Sequence, residues 1–214
     1  SKFYQGLGII YADVGGKKDD FGTSILNGKF SFGTGKSDET IQSTSSIDDG
    51  VWHHVVATRE KSTGTISVYV DGVLEDSLST ENTQELSSPN NIIIGANTID
   101  SRYFKGNITQ VAVWNITISS GGVKALYNSG IPLNVLTNSG DYTSASNLKG
   151  YWRFNERTGS TTTDASGNNN NGTINGATWT TASPRRNTVI TIDPANNFVS
   201  NQTVYAAIGA TLED

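Results

Sequence analysis

The 214-residue sequence contains no cysteine, no methionine, only four prolines and no long apolar run. Without cysteine no disulfide can stabilise the fold, which is compatible with a secreted bacterial or viral protein. The formal net charge of −5 provides no basic surface, so nucleic acid is not an expected partner. The apolar runs are too short to cross a bilayer, so no membrane insertion is expected. The opening residues do not read as a signal peptide, and we expect any targeting information to lie outside this sequence.

Glycine, serine, threonine and asparagine are abundant instead, a composition typical of short strands joined by tight turns. Residues 51–60 are rich in β-branched and aromatic side chains, and residues 65–70 alternate between apolar and polar side chains, so both are predicted strands. The dipeptides Asp71-Gly72 and Asn27-Gly28 are typical of two-residue hairpin turns, because their residues tolerate a positive φ. Residues 51–78 therefore predict an antiparallel meander with one face toward a core.

The later part of the sequence predicts a long strand and one helix. Residues 103–115 form the strand, with Gly106 and Gln110 between its apolar positions. Strict alternation divides its apolar side chains into two sets, Phe104, Ile108, Ala112 and Trp114 on one face, Val111 and Val113 on the other. Residues 119–128 predict the helix, capped by a serine and ended by Gly130. Residues 133–147 are polar and predicted to be irregular.

Several of these stretches resemble one known family. Trp52-His53-His54-Val55, followed by Tyr69-Val70-Asp71-Gly72, is similar to the central strands of the laminin-G-like family of the concanavalin A-like lectin/glucanase superfamily. Residues 104–115 and 126–130 resemble its late strand and the segment after it. Residues 150–156 with 164–179 resemble the segment that usually opens such a domain. The resemblance implies an all-β fold, a two-sheet antiparallel jelly-roll sandwich with one short helix, and binding rather than catalysis.

The order of these segments predicts the domain organisation. Residues 1–183 form the predicted jelly roll, although the segment that usually opens the family's domain comes last here. Either residues 148–180 close this jelly roll or they begin a second copy, and closure is favoured because unpaired edge strands invite aggregation. Residues 184–214 are predicted to be a linker and the first two strands of a bacterial Ig-like module. Two strands cannot form a stable sandwich alone, so we expect a larger multidomain chain.

The loop 164–172 is the predicted metal site. Asp164, Asn168 and Asn170 place oxygen atoms at alternate positions between glycines, which suits Ca²⁺ as a candidate cofactor. Against this, Asp164 is the loop's sole carboxylate, and Thr109 and Gln110 stand where the family often has an acidic pair. The alternative is an Asn/Gly-rich turn whose amides bond their own backbone. A loop with Asp13, Asp19 and Asp20 is a second cation candidate, with a solvated loop as the default interpretation.

Asp100, Arg102 and Tyr103 are the predicted ligand-binding residues, because sugar recognition needs an exposed aromatic face beside planar polar groups. The four tryptophans are predicted to lie in the core, since each falls within an alternating apolar pattern. His53 and His54 point to opposite faces of a strand, so they cannot jointly hold a metal. One is expected to pack near Trp52 and the other to hydrogen-bond across the sheet.

The sequence offers no catalytic arrangement that we recognise. The carboxylates that alternate on one strand in the superfamily's glucanases have no counterpart here, and no nucleophile elbow is present. The main hypothesis is therefore a non-catalytic extracellular module for binding or adhesion, whose partner is a glycan or a surface protein. The alternative hypothesis is a virion-surface structural module, such as a phage fibre or head decoration, that serves assembly or host adhesion.

Overall fold

The computed structural model describes residues 2–16, 19–35, 39–80, 82–87, 91–97 and 100–182, together with the backbone of residues 193–194 and 203–209. A five-stranded antiparallel sheet forms one layer. Its strands are β1 (Leu7–Ala12), β2 (Phe21–Leu26), β3 (Lys29–Thr34), β4 (Glu39–Ser46) and β8 (Ile93–Ile94). Their spatial order is β4-β3-β2-β1-β8. The turn Asn27-Gly28 joins β2 to β3, with φ angles of 54° and 77°, as predicted for a two-residue hairpin.

A six-stranded antiparallel sheet forms the other layer. Its strands are β5 (Trp52–Glu60), β6 (Thr65–Val70), β7 (Val73–Ser79), β11 (Asn107–Trp114), β12 (Leu148–Trp152) and β16 (Thr203–Gly209). Their spatial order is β12-β11-β16-β5-β6-β7. The meander β5-β6-β7 matches the prediction for residues 51–78. Four further short strands are β9 (Ala96–Asn97), β10 (Arg102–Tyr103), β13 (Thr161–Thr162) and β14 (Gly172–Thr173), and β14 also pairs with β15 (Asp193–Pro194).

The main core lies between the two sheets. Ile66, Val68 and Val70 alternate inward from β6 and meet apolar side chains of the five-stranded sheet, among them Phe30 and Phe32. Burying each side chain of this kind contributes roughly 1.5–3 kcal/mol relative to leaving it exposed. The predicted all-β sandwich with two facing antiparallel sheets is therefore confirmed.

Strand β11 departs from strict alternation at a β-bulge. The pairing with β16 shifts register between Thr109 and Ala112, and Gln110 has a φ of 54°. As a result Ile108 and Val111 both enter the core between the sheets, whereas Ala112 faces outward with Trp114. The predicted placement of Ile108 on the same face as Ala112 is wrong, because the extra residue of a bulge inverts the alternation beyond it.

A second core covers the outer face of the six-stranded sheet. The helix α1 (Ser120–Tyr127) packs there with the segment 131–148, and both bury apolar side chains against Val56 and Trp114. Trp114 Nε1 donates to the Tyr142 hydroxyl at 3.0 Å, and this hydroxyl donates to the Val135 carbonyl at 2.8 Å. Residues 133–147 are thus largely irregular, as predicted, but they also form a packed layer that the sequence did not indicate.

The helix α1 begins where the sequence predicted it. Ser119 caps it by accepting a hydrogen bond from the Gly122 N–H at 3.1 Å, and Asn128 ends it in the left-handed conformation with a φ of 45°. Gly130, the predicted end, lies two residues later in a short 3₁₀ helix. In the described part of the chain no helix is both long enough and apolar enough to cross a membrane.

The C-terminal strands β12 and β16 both pair within the six-stranded sheet. Strand β12 pairs with β11, so residues 148–152 pack onto this sandwich. The backbone of β16 pairs with β5 on one side and β11 on the other, inside the six-stranded sheet. Both edges of β16 are bonded in this sheet, and the Ig-like module expected over residues 184–214 stays a prediction. The other expected module strand, 188–192, lies outside the described residues, and a module boundary near 184 stays a prediction.

The edge strands β4 and β7 are linked by carboxylates. The Glu75 carboxylate accepts hydrogen bonds from the Ser45 N–H at 2.9 Å and from Thr44 Oγ1 at 3.1 Å. Asp76 Oδ2 accepts from the Gln42 N–H at 3.4 Å. Side chains of one sheet edge therefore satisfy backbone donors of the other, and the sandwich is closed along this side.

Candidate functional site

A pocket of about 450 Å³ opens at the rim of the sandwich, beside the β2–β3 turn. Its volume falls within the range of small-molecule sites in proteins. Segments far apart in the sequence line this rim pocket: Gln5, Gly6, Leu7, Ile25, Leu26, Asn27, Gly28, Asp48, Arg102 and Lys105. Leu7, Ile25 and Leu26 provide apolar lining for the pocket. Asp48, Arg102 and Lys105 add charged groups of both signs.

The Asp48 wall is positioned by the β2–β3 turn. Gly28 adopts a φ of 77°, and a Cβ atom there would lie 2.6 Å from Asp48 Oδ1. The Ile47 N–H donates to the Gly28 carbonyl at 2.7 Å. Only glycine therefore lets the turn approach this closely and leave Asp48 at the pocket margin.

The cationic wall comes from the segment 100–105. Arg102 Nε lies 3.5 Å from Asp100 Oδ2, and its Nη1 donates to the Gln5 carbonyl. Strand β10 pairs with β9, which fixes Arg102 opposite Asn97. Tyr103 follows with its side chain 61% exposed, an unusual exposure for an aromatic residue in a strand.

The structure brings two of the three predicted ligand-binding residues together. Arg102 lines the rim pocket and Asp100 forms an ion pair with it, whereas the exposed Tyr103 is the next residue of β10 and is not part of the pocket lining. Binding by these residues stays a prediction. Asp48 and Lys105 were missed, because their approach depends on how distant segments fold together and no local pattern marks them.

The loop 164–172 uses its polar side chains on its own backbone. The Asp164 carboxylate accepts from the N–H groups of Tyr151, Ser166 and Asn170 at 2.9–3.0 Å. Asn168 and Asn170 donate their side-chain amides to the carbonyls of residues 148 and 149 in β12. These contacts match the Asn/Gly-rich turn that was the alternative interpretation, and Ca²⁺ binding at Asp164, Asn168 and Asn170 stays a prediction.

The second candidate cation loop is more buried than predicted. Asp20 is only 2% exposed and accepts from the Val14 N–H at 2.9 Å. Burial, followed by a hydrogen bond with Asp13, raises the pKa of Asp20 to about 7. The default interpretation of a solvated loop is therefore wrong for Asp20. Across the described ranges, no cluster of three or more His, Asp or Glu side chains is arranged to hold a metal ion.

The two histidines have different surroundings. The ring of His53 lies between two carboxylates, with Nδ1 2.9 Å from Asp71 Oδ2 and Nε2 3.1 Å from Asp49 Oδ1, and we call these three residues the His53 latch. The hydrogen bond to Asp71 raises the pKa of His53. His54 is buried and stacks against Tyr127 with ring centroids 5.9 Å apart, and this burial lowers its pKa to about 3.

These ring contacts partly match the sequence predictions. One histidine does hydrogen-bond to a neighbouring segment, but the other packs against the helix residue Tyr127 rather than near Trp52. Trp114 and Trp152 lie fully in the core, as predicted, whereas Trp52 and Trp179 are only partly buried. Trp179 nevertheless packs against the main core, whereas the core prediction is wrong for Trp52, which stands at the start of β5.

The two antiparallel sheets and the pocket at their rim define a lectin-like β-sandwich with a candidate ligand site. The chain belongs to the laminin G-like family of the concanavalin A-like lectin/glucanases superfamily, whose model matches residues 7–124. Laminin G-like domains are usually extracellular and typically non-catalytic.

Two mammalian proteins are similar to part of the chain. Both are sushi, von Willebrand factor type A, EGF and pentraxin domain-containing protein 1. The rat protein is 31% identical over 134 residues and the mouse protein 29% identical over the same length. The aligned region is 58% of this chain and only 4% of either relative. The match thus concerns one module of a much longer protein.

Proposed function

We propose that the chain is a non-catalytic extracellular binding module that recognises a glycan or a surface protein at the rim pocket. One observation carries the proposal: Arg102 and Lys105 line the pocket, and Tyr103, the residue after Arg102 in β10, is exposed. A sugar ring stacks on an exposed aromatic face, while charged side chains at a pocket margin orient its polar groups. The family's lectin-like fold supports the same kind of partner.

The test is a glycan array followed by affinity measurements on the Tyr103→Ala and Lys105→Ala variants. Loss of the Tyr103 ring removes the stacking surface, so we expect the dissociation constant to rise about tenfold or more, the equivalent of about 1.4 kcal/mol. Ile131→Ala, at another exposed apolar position, provides the control. Ligand binding that all three variants retain at full affinity would place the site elsewhere on the molecule.

Calcium is a separable part of the proposal, supported by the oxygen-rich composition of the loop 164–172. A bound Ca²⁺ would stabilise the folded state by mass action, so Tm would rise with Ca²⁺ concentration and fall on addition of EDTA. Asn168→Ala and Asn170→Ala would abolish the rise. An unchanged Tm across millimolar Ca²⁺ would remove calcium from the proposal and leave the rim pocket unaffected.

A further inference from the structure

The geometry of the His53 latch fixes the protonation state of its ring. Both ring nitrogens lie within hydrogen-bond distance of carboxylates, Nδ1 2.9 Å from Asp71 and Nε2 3.1 Å from Asp49. An ionised carboxylate only accepts hydrogen bonds, so both nitrogens must carry a proton for both contacts to form. A neutral imidazole carries one proton, and loss of the second proton therefore breaks one contact.

The contact that breaks is the one with Asp49. Asp71 is held from a second direction, because its Oδ1 accepts from the His54 N–H at 2.8 Å and its own N–H donates to the His54 carbonyl at 2.8 Å. Its side chain is also less exposed than that of Asp49, 32% against 49%. The remaining proton stays on Nδ1 beside the more buried acceptor, and Nε2 releases Asp49.

Asp49 belongs to the turn that forms one wall of the rim pocket. It follows Asp48, which lines the pocket, and its Oδ1 also accepts from the Val51 N–H at 3.1 Å. Beyond the latch, the turn is bonded to the rest of the fold through the Ile47 N–H and the Gly28 carbonyl. Release of Asp49 therefore removes an anchor from the stretch that carries Asp48.

Other charged groups near the latch do not replace this anchor. On β5, the buried ring of His54 is neutral at physiological pH. On α1, Lys124 packs beside Gly72, which follows Asp71 in the β6–β7 turn. In the 47–51 turn, the backbone N–H of Val51, followed by His53, lowers the pKa of Asp49, so this carboxylate is ionised whenever His53 titrates.

We propose that the His53 latch is a pH-sensitive device that holds the Asp48 wall of the rim pocket in place and releases it as the imidazolium loses a proton. An effect on ligand affinity rests on the function proposed above, whereas the release of the turn does not. The pKa of His53 is raised above 6.5, so the latch is closed below this pH and opens as the pH rises through the raised value.

The first experiment is an NMR pH titration of the histidine rings. The sequence has only two histidines, and His53→Gln assigns their signals. We expect the pKa of His53 to lie above 6.5 and to fall toward it in Asp49→Asn, which removes one charged acceptor. Asp48→Asn is the matched control, since Asp48 has no contact with the ring. A His53 pKa equal in the wild type and Asp49→Asn would overturn the proposal.

The second experiment follows amide hydrogen exchange in residues 47–51 across the same pH range. Protection factors corrected for intrinsic exchange are expected to fall through the His53 pKa in the wild type and to show no such step in His53→Gln. A pH-independent protection factor in the wild type overturns the latch. Neither measurement uses a ligand, so the latch can be tested separately from the proposed function. If the latch titrates as expected but the chain binds no glycan, only the proposed function is rejected.

Discussion

At the scale of single residues, side-chain oxygens in this protein often replace missing backbone partners. Asp164 is the fullest case, because its carboxylate accepts from three backbone N–H groups and joins β12 to the loop that follows. Composition alone does not distinguish this role from metal binding, since both need closely spaced oxygens. The distinction depends on where the N–H groups of Tyr151 and Asn170 point, which only the folded backbone determines.

We predict that Asp164→Ala lowers the free energy of unfolding by about 1–3 kcal/mol, because it leaves buried N–H groups without an acceptor. Urea denaturation followed by tryptophan fluorescence measures the loss. Asp141→Ala, which removes an exposed carboxylate, is expected to change stability by less than about 0.5 kcal/mol. Equal losses in the two variants would contradict the role assigned to Asp164.

Residue patterns predicted the turns well and the bulge poorly. Asn27-Gly28 and Asp71-Gly72 both adopt positive φ angles, because this preference is a local property of Asn, Asp and Gly. Gln110 also has a positive φ, but glutamine has no such preference, and tertiary packing imposes the conformation. The ligand-site prediction for Asp100, Arg102 and Tyr103 stays a prediction, and of these three residues Arg102 lines the rim pocket.

At the scale of elements, the link between β4 and β7 protects two sheet edges at once. Glu75 and Asp76 on β7 occupy backbone N–H groups of β4 that an incoming strand would otherwise use. The arrangement joins the edges without a regular ladder between the strands. Charged side chains at an edge also oppose pairing with other chains.

We predict that Glu75→Ala increases aggregation at a given protein concentration, because it exposes backbone donors of β4. Light scattering at a temperature below Tm should show a shorter lag time than in the wild type. Glu85→Ala, which breaks an exposed ion pair with Lys61 away from the strand edges, should aggregate as the wild type does. Identical lag times for Glu75→Ala and the wild type would contradict edge protection.

Elements with strong local signals were predicted and those set by long-range pairing were not. The meander 51–78 and the helix 119–128 follow from periodicity, hairpin turns and a serine cap. By contrast, the place of β16 between β5 and β11 is a pairing of distant segments, and nothing in residues 203–209 names their partners. The packed layer over 133–147 was missed because its buried residues, Val135 and Tyr142, follow no strand or helix periodicity.

At the scale of the whole molecule, two buried titratable residues, His54 and Asp20, change the pH dependence of folding stability in opposite directions. Burial lowers the pKa of His54 to about 3, so stability is lost as the pH falls below 6.5, where the unfolded chain takes up this proton. Burial raises the pKa of Asp20 to about 7, so stability is lost as the pH rises from 3.8 toward 7. The two effects oppose each other between pH 3.8 and 6.5.

We predict a Tm that changes little between pH 4.5 and 6.5 and falls on either side. On the acid side, burial raises the pKa of Glu75, but hydrogen bonds from Ser45 lower it overall, so its contribution is lost as the pH falls below 4.5. On the alkaline side, the contribution of His53 is lost as the pH rises through its raised pKa. Calorimetry from pH 3 to 9 measures the curve.

The Asp20→Asn variant separates the contribution of Asp20 from that of His54 in the dependence of Tm on pH. The variant lacks the titration that opposes His54, so its Tm should rise with pH between 4.5 and 6.5 where the wild type stays level. Asp19→Asn, at a neighbouring position on the same loop, serves as the control and should keep the level region. A level region in Asp20→Asn as well would show that Asp20 does not titrate near neutrality.

The layer formed by α1 and residues 131–148 restricts how any partner reaches the six-stranded sheet. One face of this sheet meets the other sheet and the opposite face lies beneath the helix, so a long polymer cannot lie across its strands. On the proposed function, an oligosaccharide would enter the rim pocket at the narrow end of the sandwich, where Arg102 and Lys105 line it. Such an entrance would favour chain termini and side branches over the interior of a polysaccharide, and lengthening a bound oligomer would then add little once its end is seated.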